Sequence, residues 1–183
     1  EILLLPEDGW RMDDAGPGAV TVTGAYTGTD TRAAGAPKPV GVFIVRGERI
    51  SLELARMDGL LVTAPDGSAR ISTVAQAQVG GQGFDLSTLD GRVAFARRAE
   101  EVGASAFQSH LLIKDGALDL RQVEGAPLAL RRVLFQRADG ALAIWEGRGA
   151  QTLFDAALAL MEAHAPVMAL NLDMGGHDFC ERV

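Results

Sequence analysis

Only one cysteine, Cys180, occurs in 183 residues. That excludes an intrachain disulfide and any zinc site built from several thiolates. Three histidines, His110, His164 and His177, are too few for a histidine-rich metal centre. Aromatic residues make up 5%, with one tyrosine and two tryptophans, so aromatic platforms are few. Cations are in the minority, 17 Lys and Arg against 24 Asp and Glu, for a formal net charge of -7. Nothing here resembles the basic footprint of a general nucleic-acid binder. No apolar run approaches the roughly 20 residues that span a bilayer. The chain opens on Glu1, and Ile2-Leu3-Leu4-Leu5 is too short for a signal peptide and lacks its basic flank. The expectation is a mature or trimmed product whose targeting segment has been removed.

What is present is an ordinary globular balance, 48% hydrophobic and 22% charged, with 22 glycines for tight turns. No internal repeat or low-complexity linker divides the chain. The expectation is one domain over residues 1–183, with 1–19 as an N-terminal extension. Val20–Thr23 alternates β-branched residues and predicts a strand, and Thr27–Pro39 reads as a long loop. Val42–Val45 and Ile50–Leu54 predict hairpin partners around Arg46-Gly47-Glu48. Leu60–Thr63 and Ala69–Ser72 flank Asp66-Gly67, and Val133–Gln136 and Leu142–Trp145 flank Asp139-Gly140. Both are hairpins with Asp-Gly at the tip. Ala106–Ser109 and Leu111–Ile113 read as short buried strands, with a turn at Asp115-Gly116.

Two helices are expected. Leu89–Val102 carries Leu89, Val93, Ala96 and Ala99 on one loose face, with Thr88 or Asp90 as cap and Gly91 as a weak point. Thr152–Ala165 is stronger: Thr152 caps, Asp155 sits in the first turn, and Leu153, Ala156, Ala157, Leu160 and Met161 share a face. Pro166 stops it. Many strands with one or two packed helices predict an α+β fold with a mixed, strand-rich sheet core, not a repeating βαβ array.

The segment Ala169–Cys180, ALNLDMGGHDFC, invites a functional reading. An apolar strand delivers Asn171 and Asp173 into Gly175-Gly176, and His177-Asp178 follow at once. The glycines permit a turn or close approach to a ligand, and the polar side chains gather at the strand end. A strand followed by an ordinary turn fits the same residues.

Three pieces occur in order: Ala-Phe-Gln-Ser-His-Leu-Leu-Ile-Lys-Asp-Gly from Ala106, Arg131-Arg132 opening a hairpin, and Ala-Leu-Asn-Leu-Asp-Met-Gly-Gly after the second helix. This set resembles the phosphodiester glycosidase domain family, the catalytic domain type of the lysosomal uncovering enzyme and of bacterial envelope proteins. Gly24-Ala25-Tyr26 and Pro39–Ile44 match earlier stretches of that family loosely. The resemblance covers about Val20 to Val183. The chain departs from the pattern at Gly24, where Asn is usual, at His110 (Gly), Leu111 (Pro), Met174 (Gly) and His177 (Ser).

The resemblance implies hydrolysis of a glycosyl phosphodiester or related envelope glycan at the sugar side, by an exported bacterial protein. A cation must hold the phosphate, a carboxyl must move a proton or stabilise charge, and a water must attack. Arg132 is expected to hold the phosphate through its bidentate fork, and Asp173 to act as the carboxyl, tuned by partial burial. His177 is a candidate proton shuttle. Gln108, Ser109, His110 and Asn171 are expected to position substrate, with Gly175 and Gly176 presenting backbone N–H groups. Asp173, His177 and Asp178 together would suit a divalent cation. No other cofactor is called for, the partner expected is a carbohydrate or glycosyl phosphate, and oligomeric state is left open. A module that binds glycan or a partner without turnover is the rival reading, favoured by Met174 and His177.

Overall fold

The computed structural model describes residues 2–4, 20–22, 24–28, 38–173 and 180–182. Its strands, in chain order, are β1 (Ile2–Leu4), β2 (Val20–Val22), β3 (Thr27–Gly28), β4 (Lys38–Pro39), β5 (Phe43–Val45), β6 (Glu48–Ser51), β7 (Gly59–Thr63), β8 (Ala69–Thr73), β9 (Ala77–Val79), β10 (Gln82–Phe84), β11 (Ser105–Ser109), β12 (Leu111–Lys114), β13 (Ala117–Leu118), β14 (Arg132–Gln136), β15 (Leu142–Glu146), β16 (Met168–Leu172) and β17 (Cys180–Arg182). Helix α1 spans Leu89–Val102 and α2 spans Leu153–His164. The class is α+β, as the pattern of elements predicts.

Two antiparallel sheets dominate, in the orders β6-β5-β11-β7-β8 and β1-β15-β14-β16-β12-β13. Strand alternation sorts their side chains into layers. Leu61, Ile71 and Phe107 of the first sheet meet Leu134, Ile144, Leu170 and Leu172 of the second in a shared core. On the outer face of the first sheet, Leu60, Val62 and Ala106 pack on Phe95, Ala96 and Ala99 of α1. On the outer face of the second, Val133, Phe135, Trp145 and Ala169 pack on Ala156, Ala157 and Leu160 of α2. The result is a two-sheet sandwich with a helix against each outer face.

Local chemistry fixes both helices. The Thr88 hydroxyl accepts from Gly91 N–H at 3.0 Å, and Gly103 ends α1 in the left-handed region at φ 67°. Thr152 accepts from Asp155 N–H at 3.1 Å, so it caps α2 as its spacing predicts. Gly91 has a positional reason: a Cβ there would lie 1.7 Å from the Asp85 carbonyl oxygen.

Three details differ from the sequence expectation. The ends of the Thr27–Pro39 loop pair as β3 and β4, Thr27 with Pro39. The strand after the Arg46-Gly47 turn runs Glu48–Ser51, so Leu52–Leu54 lie beyond it. A further hairpin pairs β9 with β10 around Gly80-Gly81, although Ala-Gln-Ala-Gln-Val has weak strand propensity.

Candidate functional site at the end of β16

β11 belongs to one sheet and β12 to the other, with His110 alone between them. β16 lies beside β12, and Asn171 N–H donates to the His110 carbonyl at 3.0 Å. The strand crossing between the sheets therefore meets the end of β16 at one corner. A third segment closes it: Asp173 N–H donates to Gly24 O at 3.1 Å, and the next residues carry Tyr26 inward.

Asn171, 2% exposed, is the hub. Its Nδ2 donates to the Tyr26 hydroxyl and, at 3.0 Å, to Leu172 O, while its backbone oxygen accepts from the Ser109 hydroxyl. Its Oδ1 is buried and has no hydrogen-bond partner among the described residues. The Tyr26 ring stands edge-on to His110, centroids 5.5 Å apart at 89°. Burial raises the Tyr26 pKa, the Asn171 hydrogen bond opposes that, the Asp173 charge adds to it and the Arg131 charge opposes it. Burial lowers the His110 pKa; the Asp58 charge opposes the shift and Arg131 reinforces it. Burial thus favours the neutral form of both rings; Tyr26 also feels the charges of Asp173 and Arg131, and His110 those of Asp58 and Arg131.

Asp58 itself meets a second carboxyl. The Asp119 pKa is raised by desolvation, then by its hydrogen bond to Asp58 and the Asp58 charge, against the pull of Lys114. This pair is fixed by backbone at β12, where Asp119 N–H donates to Leu112 O at 2.9 Å.

The two arginines that open β14 differ sharply. Arg132 is 2% exposed and ion-paired: its Nε and Nη2 donate to Glu146 Oε2 at 2.9 and 2.7 Å. It stands in register with both Glu146 and Leu172. Arg131, half-buried, points by alternation to the face that carries Asn171, and the same register continued one step sets it opposite Asp173. Its Nε and Nη2 donate to the carbonyls of Gln151 and Pro127 at 3.1 and 2.9 Å. The guanidinium is therefore steered by backbone, and its Nη1 takes no part in those two bonds.

Gln108 corrects the sequence expectation of a substrate-binding amide. It is fully buried. Its Oε1 accepts from Val42 N–H and Ala55 N–H, both at 3.1 Å, and its Nε2 donates to Ala55 O at 3.0 Å and to Met57 O. An amide has two acceptor and two donor positions, and backbone fills all four. Gly41 makes room, since a Cβ there would lie 2.5 Å from Gln108 Oε1. Ser109, fully buried, is likewise turned inward to the Asn171 carbonyl, so its hydroxyl proton faces no substrate. An open cleft of about 390 Å³ lies between Gly28, Lys38, Val40 and Gly41 on one side and Glu53 and Ala55 on the other. Its Ala55 wall is held by Gln108, but the polar corner is not among its lining residues.

Of the expected site, the structure brings together His110, Asn171 and Asp173, and places Arg132 one strand over in its ion pair. Gly175, Gly176, His177 and Asp178 lie outside the described residues. The divalent-cation set rests on two of them; among the described residues no group of three or more His, Cys, Asp or Glu side chains is placed to hold a metal. Tyr26, Asp58, Asp119 and Arg131 were not singled out by sequence. The one available signal was Arg131 beside Arg132, since neighbours on a strand face opposite ways.

The sequence matches no family model and no curated protein. Solved structures do share the fold. The zebrafish N-acetylglucosamine-1-phosphodiester alpha-N-acetylglucosaminidase catalytic domain, auto-inhibited by its pro-peptide, is similar over 88% of this chain and 52% of its own, with a TM-score of 0.56 and 14% identity. A hypothetical protein from Synechocystis is similar over 98% of this chain and 51% of its own, with a TM-score of 0.50 and 12% identity. The fold is therefore phosphodiester-glycosidase-like. The chain spans about half the length of these structures. No helix among the described residues is long and apolar enough to cross a membrane.

Proposed function

We propose that this chain is a hydrolase that cleaves a glycosyl phosphodiester at the sugar side. The observation that carries the reading is the corner itself. A carboxylate (Asp173), a steered guanidinium (Arg131) and a neutral pair of polar rings (Tyr26 and His110) surround one strand end, on a fold shared with a sugar-phosphodiester glycosidase. In this reading Arg131 takes the phosphate, in place of Arg132, whose Glu146 pair anchors the ends of β14 and β15. A water attacks the anomeric carbon and gives its proton to Asp173. The bond between that carbon and the phosphate oxygen breaks, and the electron pair leaves with a phosphate monoester. A phosphate is a good leaving group, so one carboxyl suffices where ordinary glycosides need two.

Release of free reducing sugar from a panel of sugar-1-phosphodiesters tests this. The wild type should turn over at least one, and Asp173→Asn should lower kcat by about 10²–10⁴-fold, the usual weight of general acid–base catalysis. No release from any member, or an Asp173→Asn variant as fast as wild type, would refute it. Binding without turnover would favour the second reading, a glycan-binding module. The inward commitment of Gln108 and Ser109 supports that rival.

A further inference from the structure

Among the described residues the two most exposed large apolar side chains are Leu128 and Val123, at 67% and 64%, and Leu130 stands with them at 49%. All three lie on the loop between β13 and β14. Its exposure alternates from Leu128 to Arg131, with Leu128 and Leu130 outward and Ala129 and Arg131 half-buried. That is the pattern of an extended segment with two faces. Backbone bonds hold it in that form. Ala129 N–H donates to Gln151 O at 3.2 Å, and Gln151 N–H returns to Ala129 O at 2.9 Å. Arg131 N–H groups bind Gln151 O and Pro127 O, and a turn from Val123 O to Ala126 N–H at 3.2 Å closes the outer end of the loop. The two leucines are therefore displayed by a braced backbone. Charge adds a second signal. The loop 120–131 and the turn 147–151 bonded to it carry three arginines, Arg121, Arg131 and Arg148, against one acid, Glu124, in a chain of net charge -7. Arg121 and Arg148 are exposed.

We propose that the outer face of this loop docks on an anionic phospholipid surface, with Leu128, Leu130 and Val123 entering the headgroup boundary and Arg121 and Arg148 meeting lipid phosphates. Apolar side chains beside cations suit such a surface, where binding grows with the apolar area inserted and with attraction to anionic lipid. The Ala129 backbone is already paired with Gln151, so the segment brings no unmet amide at its centre toward the acyl boundary. A second copy of the chain fits less well. Three side chains on one loop fall short of the roughly 800 Å² a side that a stable protein interface takes, and two copies of a basic loop repel each other. A membrane asks for no matching shape and supplies the opposite charge. The protein would lie on the bilayer through this loop and not cross it. Docking stands on the loop alone, whatever chemistry the corner behind it performs.

The test is flotation of the intact protein with vesicles of phosphatidylcholine alone and of phosphatidylcholine mixed with phosphatidylglycerol. The protein should float with the mixed vesicles, and less so as salt is raised. Leu128→Ser combined with Leu130→Ser should weaken that binding at least about ten-fold. Arg148→Gln should weaken it about five-fold on mixed vesicles and leave binding to neutral vesicles unchanged. Leu89→Ser, at a comparably exposed position on α1 (63%), should change nothing. The substituted side chains are all exposed, so the variants should unfold at the wild-type temperature. Leu128→Trp gives a readout that requires no loss of binding: its added emission should move to the blue with mixed vesicles. Failure to float with mixed vesicles, a double leucine variant that floats as well as wild type, or a Leu128→Trp emission that does not move overturns the proposal. A concentration-dependent dimer abolished by the leucine substitutions, with no flotation, would assign the face to a second copy and overturn it as well.

Discussion

Gln108→Leu separates a substrate-binding glutamine from a structural one. The change keeps approximate volume and removes four hydrogen bonds. Two lie in the dry interior, to Val42 N–H and Met57 O, and each orphaned backbone group costs about 1–3 kcal/mol. The two to Ala55 are only partly buried, so water replaces them at about 0.5 kcal/mol each. The loss should be about 3–7 kcal/mol, a large share of the roughly 5–15 kcal/mol that holds a domain together. In urea, with a slope of about 1–3 kcal/mol/M, the midpoint should fall by about 2 M. A drop below about 1 kcal/mol, with KM raised instead, would refute the clamp and restore Gln108 to the substrate. Gln108→Glu sharpens the comparison. Its carboxyl would face the Ala55 and Met57 carbonyls, so burial and repulsion raise its folded pKa above the unfolded value of about 4.3. The variant's stability is then best below that value and falls as pH rises through the folded pKa.

Other perturbations have definite signs. Glu146→Gln takes the carboxylate from a nearly buried Arg132 and should cost about 2–4 kcal/mol in thermal unfolding, more than the paired replacement Arg132→Met with Glu146→Leu. Asp119→Asn relieves the contact with Asp58 and should stabilise the neutral protein by about 0.5 kcal/mol. Because the folded pKa of Asp119 is raised, that gain should vanish below its unfolded value of 3.8, and a gain that persisted in acid would contradict the assignment. His110 has a lowered folded pKa, so its contribution is full above its unfolded value of 6.5 and declines as pH falls below it; His110→Gln should flatten that slope in urea titrations at stepped pH. Gly91→Ala should destabilise by about 1–3 kcal/mol despite its better helix propensity, because the new Cβ meets the Asp85 carbonyl; a stabilised variant would mean that contact relaxes freely.

The parts legible in sequence were those decided within a few residues. The hairpins with Asp66-Gly67 and Asp139-Gly140 at their tips, the caps Thr88 and Thr152, and the α+β class all follow from local turn and cap chemistry. The Ala77–Phe84 hairpin escaped because its residues carry no strong strand signal. The role of Gln108 depends on partners 51 to 66 residues away, which no spacing reveals. Choosing between Arg131 and Arg132 needs the register of β14 against β16, since one residue decides the face. Asn171 and Asp173 were visible as polar residues ending an apolar strand. Tyr26, which ties them to His110, was not, because its segment joins the corner through the Gly24–Asp173 contact.

The passage of one continuous stretch from the first sheet to the second also has a mechanical meaning. β11 is tied on its side by Gln108 to Val42, Ala55 and Met57, and on the other side Ser109 is tied to Asn171. The covalent joint between the layers is therefore one residue long, and the strand that enters it is bonded into both sheets at once. Damage to that strand would be felt in both layers, not in one.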